Sequence, residues 1–212
     1  MRGIVIAGPR SREIFGNVFE GSAIEVEWAE TPGEASGSAD FALDLDFHAG
    51  HLPLLEKLPA PLILLNAVST PLHTLGTSDR FARINAWNTF LQRPLAEMVV
   101  HPSRAAQAAT LCTAWKKTLE ALPDLPGMPS ARVVSMIVNE AYFALGEGVG
   151  TKEAIDTAMR LGTNYPFGPF EWGARIGLKP IVDLLENLNK DNPLYTIAPR
   201  LREEAQAHGL TA

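Results

Sequence analysis

The sequence predicts two domains of different class: an α/β domain built on a parallel sheet, residues 1–124, followed by an all-α domain, residues 125–212. Three observations carry this. Through the front half, short apolar runs alternate with helical segments, the pattern of a doubly wound sheet. The back half holds only segments of helical period. Between them Pro123, Pro126, Gly127 and Pro129 place four chain breakers within seven residues, the mark of a domain boundary.

The elements follow in order. Gly3–Ala7 is a short apolar run ending at Gly8-Pro9, so it reads as a buried strand opening onto a turn. That reading leaves Met1–Gly8 too short for a signal peptide or a membrane span. Ser11 is an N-cap for a helix to Phe19, with Ile14 and Val18 on one face. Ile24–Trp28 alternates apolar and acidic residues, a half-exposed strand, and the Gly- and Ser-rich stretch Thr31–Ser38 reads as a loop. Phe41–Leu45 and Pro61–Leu65 are further strands, with a helix over His51–Leu58 between them. Ile84–Trp87 and Leu95–Val100 add two more strands, and Ser103–Leu122 reads as one long alanine-rich helix. After the boundary, helices are expected over Ala131–Gly146, from Thr151 as N-cap, over Phe170–Ile176 and Pro180–Asn187, and over Pro199–His208. The loop Asn164–Phe170 places Tyr165, Phe167 and Phe170 close together between prolines.

Composition narrows the partners. Eighteen Lys+Arg against 24 Asp+Glu give a net charge of −6, with 46% hydrophobic and 20% charged residues. A globular chain with an acidic balance and no basic cluster is not built for nucleic acid or an anionic membrane. One cysteine, Cys112, excludes an internal disulfide and fits a reducing, cytoplasmic setting.

The turn after the first strand, Ala7-Gly8-Pro9-Arg10-Ser11-Arg12, is where a doubly wound sheet binds phosphate. The dinucleotide fingerprint needs three glycines there; this turn has one, and Arg12 stands about where the last belongs. Arg10 and Arg12 could still attract a phosphate, so a binding turn and a structural turn both stand. Glu27 and Glu30, near the end of the second strand, sit where an acidic residue would hold a ribose hydroxyl, or else form a solvated strand edge. The five histidines, His48, His51, His73, His101 and His208, form no metal-spaced cluster, and no metal site is expected. Cys112 reads as a small buried residue rather than a nucleophile, and no Gly-Xaa-Ser-Xaa-Gly elbow occurs.

The segments Val138-Asn-Glu-Ala141, Ile155-Asp-Thr-Ala-Met159, Gly162-Thr-Asn164, Pro166-Phe-Gly-Pro-Phe-Glu171 and Ile176-Gly-Leu178 resemble, in order and spacing, the C-terminal domain of 3-hydroxyacyl-CoA dehydrogenases. Further forward, Ala39–Leu43, Leu65–Ser69, Arg80-Phe81 with Trp87-Asn88, and Leu125–Met128 are similar to that family's segments. The N-terminal domain looks shortened, with one strand–helix portion after Trp28 and a helical insertion missing. The resemblance implies a Rossmann-like domain binding NAD, a helical domain that dimerises, and an acyl-CoA in the cleft between them. It also implies a histidine general base oriented by a glutamate, with a serine and an asparagine holding the substrate oxygen.

Carried across position by position, the histidine falls on Asn85 and the glutamate on Glu97, twelve residues later. The oxygen-binding asparagine falls on Ala131 and the serine on Val68 or Ser69, while Asn88 matches the family's asparagine. Gly8, Arg10, Arg12, Glu30 and Asn66 fall on the cofactor side. The resemblance therefore implies a dehydrogenase-like protein with a degenerate site: NAD by family but against the lost glycines, no metal, an acyl-CoA-type ligand and a homodimer through the C-terminal domain. A diverged enzyme and an inactive homologue that binds an acyl-CoA or a protein partner both remain open. His73, near the Ser69 loop, is the histidine that could substitute as base.

Overall fold

A computed structural model describes residues 1–209. The chain forms two compact units, Met1–Leu125 and Pro126–Ala212.

The first unit is a seven-stranded sheet. Its strands are β1 (Arg2–Ile6), β2 (Glu25–Ala29), β3 (Phe41–Asp44), β4 (Ile63–Leu65), β5 (Phe81–Ile84), β6 (Leu95–Val100) and β7 (Thr118–Ala121). They lie in the order β2-β1-β3-β4-β5-β6-β7, parallel throughout except for the antiparallel pair β5–β6. Successive side chains of a strand point to opposite faces. Val5, Leu43, Leu64, Ile84 and Met98 accordingly pack with Phe15, Phe19, Leu111 and Trp115, whereas Ile4, Ile6, Ala42, Ile63 and Leu65 pack with Leu55 and Leu58. Burial on both faces explains why these strands read as continuous apolar runs. A sheet of this type in its six-strand form carries three strands in the first half. Here β2 is the edge beside β1. The chain reverses its winding between β1 and β3, and the crevice beyond their C-terminal ends is the topological switch point.

The helices of this unit are α1 (Pro9–Phe15), α2 (Leu52–Leu55), α3 (Leu72–Leu75) and α4 (Ala105–Ala114). Three expectations are corrected. The first helix starts at Pro9 and stops at Phe15, with Gly16 following, so it is shorter than Ser11–Phe19. The strand expected over Ile84–Trp87 is β5, Phe81–Ile84; Arg83 at its centre, which hid it, is buried by partners described below. The long helix Ser103–Leu122 is two elements. After α4 the chain reverses at Lys116, whose φ is 60°, the Lys117 N–H closes back on the Cys112 carbonyl at 2.8 Å, and Thr118–Ala121 joins β6 in parallel as β7. Strand pairing overrides a local helix preference there. α3 was not foreseen.

The second unit is helical: α5 (Pro129–Gly146), α6 (Lys152–Thr163), α7 (Pro169–Ile176), α8 (Leu178–Asn189) and α9 (Pro199–Gly209). α5 is central, with Val134, Val138 and Ala141 buried against α7, α8 and α9. Thr151 caps α6 through its side chain, 3.2 Å from the Ala154 N–H. The motif Pro166–Glu171 has a physical reason. Asp156 of α6 is buried and accepts the Phe170 and Glu171 N–H groups at 2.8 and 3.2 Å, capping α7 from a neighbouring helix. Gly168 makes room for it: a Cβ there would lie 2.3 Å from Asp156 Cγ. Asn139, 2% exposed, donates to the Thr196 carbonyl and accepts from the Ala198 N–H, tying α5 to the start of α9.

Candidate functional site

The ladder β5–β6 pairs Ile84 with Met98, and its next step brings Asn85 opposite Glu97, the Asn85 N–H bonding the Glu97 carbonyl at 3.0 Å. This register is why a separation of twelve residues matters. It directs the Asn85 amide to donate from Nδ2 to Glu97 Oε2 at 2.7 Å, with both side chains buried. The Asn85 side-chain oxygen, Oδ1, accepts from the Trp87 N–H at 3.4 Å. A neutral amide here can donate and accept but cannot take up a proton near pH 7. Burial lowers the basicity of the nearby Arg93, while the Glu97 carboxylate opposes that fall.

The neighbouring strand ends are tied rather than open. Asn66, just after β4, donates to the Leu45 carbonyl at 2.9 Å and accepts from the Ala86 N–H at 3.3 Å. The loop that follows carries Val68, which is buried, and Ser69, which is half-buried. Arg83, fully buried, holds this loop: its Nη1 donates to the carbonyls of Ala67, Val68 and Thr70, its Nη2 to that of Leu125, and its Nε lies 3.1 Å from Asp124 Oδ1. Asp124 also accepts the N–H groups of Leu72 and His73 and the His73 ring nitrogen, each at 3.0 Å. Burial works to raise the Asp124 carboxyl, but these hydrogen bonds and Arg83 outweigh it and hold the group below the usual range. His73, largely exposed, is thus bonded to Asp124. Asn88 accepts from the Gln92 amide at 3.3 Å.

At the switch point the structure places residues that the sequence reading did not single out. Gly8 precedes α1, and its N–H donates to Asp46 Oδ2 at 2.7 Å; Ser11 Oγ donates to Asp46 Oδ1 at 2.5 Å. The Asp46 N–H is held in turn by Asp44 Oδ1 at 3.1 Å. Asp44 has no exposed surface, and its Oδ2 meets His51 Nδ1 at 2.6 Å, with the His48 ring 3.9 Å from that of His51. Burial pushes the Asp44 carboxyl up to about 6, against the opposing pull of His51. Arg10 is exposed on α1, and the Arg12 guanidinium lies over the Trp28 ring at 5.6 Å. Glu30 follows β2 and is exposed, its N–H bonded to the Glu34 carboxylate, whereas Glu27 pairs with Arg2. The signal for Asp44 and Asp46 was a pair of acids spaced by two, which puts them on one side of a strand end; nothing local revealed their partners.

Two N–H positions of this turn are closed to the pyrophosphate of NAD. A phosphate site needs free N–H donors at a helix start. Here the Gly8 N–H is committed to a carboxylate, and Pro9 at the first helical position has no N–H.

In the second unit Ala131 is fully buried in the first turn of α5 and offers no polar group. Cys112 is buried in α4, and burial pushes its thiol up to about 11. Among the described residues, no group of three or more His, Cys, Asp or Glu side chains could hold a metal ion, and no helix is long and apolar enough to cross a membrane.

Residues 127–209 match the family model described as 3-hydroxyacyl-CoA dehydrogenase, C-terminal domain. The chain is 47% identical over 95 residues to the 3-hydroxyadipyl-CoA dehydrogenase of Escherichia coli, covering 44% of this chain and 20% of that protein. It is 30% identical over 159 residues to a probable 3-hydroxybutyryl-CoA dehydrogenase of Deinococcus radiodurans, covering 70% of this chain and 57% of that one. The chain therefore spans less than two thirds of these relatives' lengths. Its fold is similar to the crystal structure of (S)-3-hydroxybutyryl-CoA dehydrogenase from Ralstonia eutropha, with TM-score 0.74 and 20% identity over 98% of this chain and 93% of that one.

Proposed function

Since the chain is 3-hydroxyacyl-CoA dehydrogenase-like, with residues 127–209 belonging to that family's C-terminal domain, we propose that it is a member whose catalytic site is degenerate. It keeps the family's frame and has given up proton transfer. The buried Asn85–Glu97 pair carries this reading. In the reaction that the resemblance implies, a base at position 85 would take the 3-hydroxyl proton. Asn85 holds the Glu97 carboxylate as an imidazole would but has no site for that proton. Loss of general acid–base catalysis costs about 10²–10⁴ in rate. Ala131 removes a second polar group, the one that would hold the substrate oxygen.

The ligand of this reading is an acyl-CoA-type thioester, bound without turnover, and the partner is a second copy of the chain through the helical unit. The helical unit exposes the apolar side chains of Leu161, Val149 and Leu194, surface that a second copy would cover in this reading. An acidic chain of this composition has no use for nucleic acid, and the single buried cysteine favours a cytoplasmic location. A second reading, a working dehydrogenase with a remodelled base, draws on Glu97, which is still buried and aimed at position 85.

The test is NADH oxidation with acetoacetyl-CoA at high protein concentration, followed by loss of absorbance. The expected result is no turnover from a folded protein. Turnover that disappears with Glu97→Ala would refute the proposal and leave the second reading standing. A solution mass of about 23 kDa alone, the mass of one chain, would remove the dimer.

A further inference from the structure

We propose that Asp46 is an internal anion that occupies the pyrophosphate position of the sheet, so that this chain takes no dinucleotide. The observation is independent of Asn85 and concerns binding, not proton transfer. In a doubly wound sheet the diphosphate lies at the switch point, on the N–H groups of the first strand-to-helix turn, and the first helix's dipole adds to the attraction. In this chain two of the turn's N–H positions are closed, Gly8 by a bond to a carboxylate and Pro9 by its ring. The Gly8 N–H is bonded to Asp46 Oδ2 at 2.7 Å and the Ser11 hydroxyl to Asp46 Oδ1 at 2.5 Å, so each oxygen of one carboxylate takes a donor of the turn. Pro9 contributes no N–H, and α1 is only seven residues long.

The space is filled as well as the bonds. A Cβ built on Gly8 would meet Asp46 Oδ2 at 3.3 Å, so the room this glycine leaves for a close approach is taken by the carboxylate. Asp46 is also held from behind. Its own N–H is fixed by Asp44, which is buried and bonded to His51. Of the two arginines of the turn, Arg12 is turned aside, its guanidinium lying over Trp28, while Arg10 stays exposed. A dinucleotide entering here would have to break two short hydrogen bonds and set its phosphates beside a fixed negative charge.

The experiment uses the full chain and two variants, Asp46→Asn and Asp46→Ala, titrated with NADH and with ADP-ribose by calorimetry, with folding checked by circular dichroism. Asp46→Asn keeps an acceptor for Gly8 and removes only the charge, so it is the variant expected to fold unchanged. The expected result is no saturable binding to the unmodified chain at millimolar ligand and affinity at least about tenfold higher in the variants. As a second readout, the Gly8 amide resonance is expected to shift on Asp46→Asn and to stay still when NADH is added to the unmodified chain. Saturable NADH binding by the unmodified chain in the micromolar range would overturn the proposal. So would variants that fold yet bind no better than the unmodified chain, since Asp46 would then not be the reason. Neither outcome depends on turnover, so the reading of Asn85 stands or falls separately.

Discussion

Replacing Asn85 by alanine isolates the pair on which the functional reading rests. The bond removed is a 2.7 Å contact from a neutral amide to a carboxylate, both groups being no more than 6% exposed. A hydrogen bond to a charged group contributes about 1.5–3 kcal/mol net. We expect Asn85→Ala to cost ~2 kcal/mol, and with a urea slope of about 2 kcal/mol/M the midpoint falls by roughly 1 M. Tryptophan fluorescence suits the assay, because Trp28, Trp87 and Trp115 lie in the first unit and Trp87 is two residues from the substitution. Asn85→Asp sharpens it. Two carboxylates would then face each other, and like charges about 4 Å apart repel by roughly 4 kcal/mol at an effective dielectric of 20. At pH 8 the aspartate variant should be less stable than the alanine variant, and the gap should close as pH falls and the pair takes up a shared proton, which a repulsion of that size brings about well above the ordinary carboxylate range. An alanine variant that unfolds at the unmodified midpoint, or an aspartate variant indifferent to pH, would show that the pair is not coupled as described.

Three further predictions rest on other groups. Asp156→Ala removes both caps from the start of α7 and should cost about 1–3 kcal/mol by urea unfolding, with Asp156→Asn recovering part; a neutral result would detach the motif from this role. Arg83→Met removes the donor from four carbonyls and the cation beside Asp124, which keeps its bonds from Leu72 and His73, so a loss of about 3–5 kcal/mol and faster amide exchange over residues 66–73 are expected; unchanged exchange there would count against Arg83 as the clamp. For Asp44, a folded-state value raised from 3.8 to about 6 means that the folded protein holds this proton more tightly than the unfolded chain. Its stabilising share is therefore full below about pH 3.8 and lost as pH rises through about 6. Unfolding at pH 4.5 and 7.5 should show Asp44→Asn gaining on the unmodified chain at the higher pH, and parallel curves would refute the assignment.

Particular residues show how far the sequence could be read. β6 was legible at Leu95–Val100 because an apolar run sits between Pro94 and Pro102. The split of α4 from β7 was not. Trp115-Lys-Lys carries no Gly, Pro or Asn to announce a reversal, and Thr118–Ala121 gains its strand form from β6, a partner no local window contains. The positions Asn85 and Glu97 came from the family resemblance, which keeps twelve residues between them; the ladder that sets the two side by side pairs strands no local window contains. Asp46 could not be anticipated: its partner Gly8 lies 38 residues away, and only the order β2-β1-β3 brings the ends of β1 and β3 together.

The likeness of the second unit to its relatives therefore measures something other than chemistry. Asp156 caps α7, Gly168 is small because Asp156 lies against it, and Asn139 ties α5 to α9. Each of these motif residues has a sufficient structural reason, so a chain can keep them all and still lose the reaction. The opposite holds in the first unit. A catalytic or cofactor site needs donors and acceptors that the protein leaves available for a ligand. Here the amide at position 85 is bonded to Glu97, and the Gly8 N–H and Ser11 hydroxyl of the first turn to Asp46. Two sites that the resemblance would open are each closed by a bond within the chain. Restoring one alone should not restore hydride transfer: Asn85→His without a change at Asp46 should remain inactive towards acetoacetyl-CoA and NADH, and activity in that single variant would refute the closed turn.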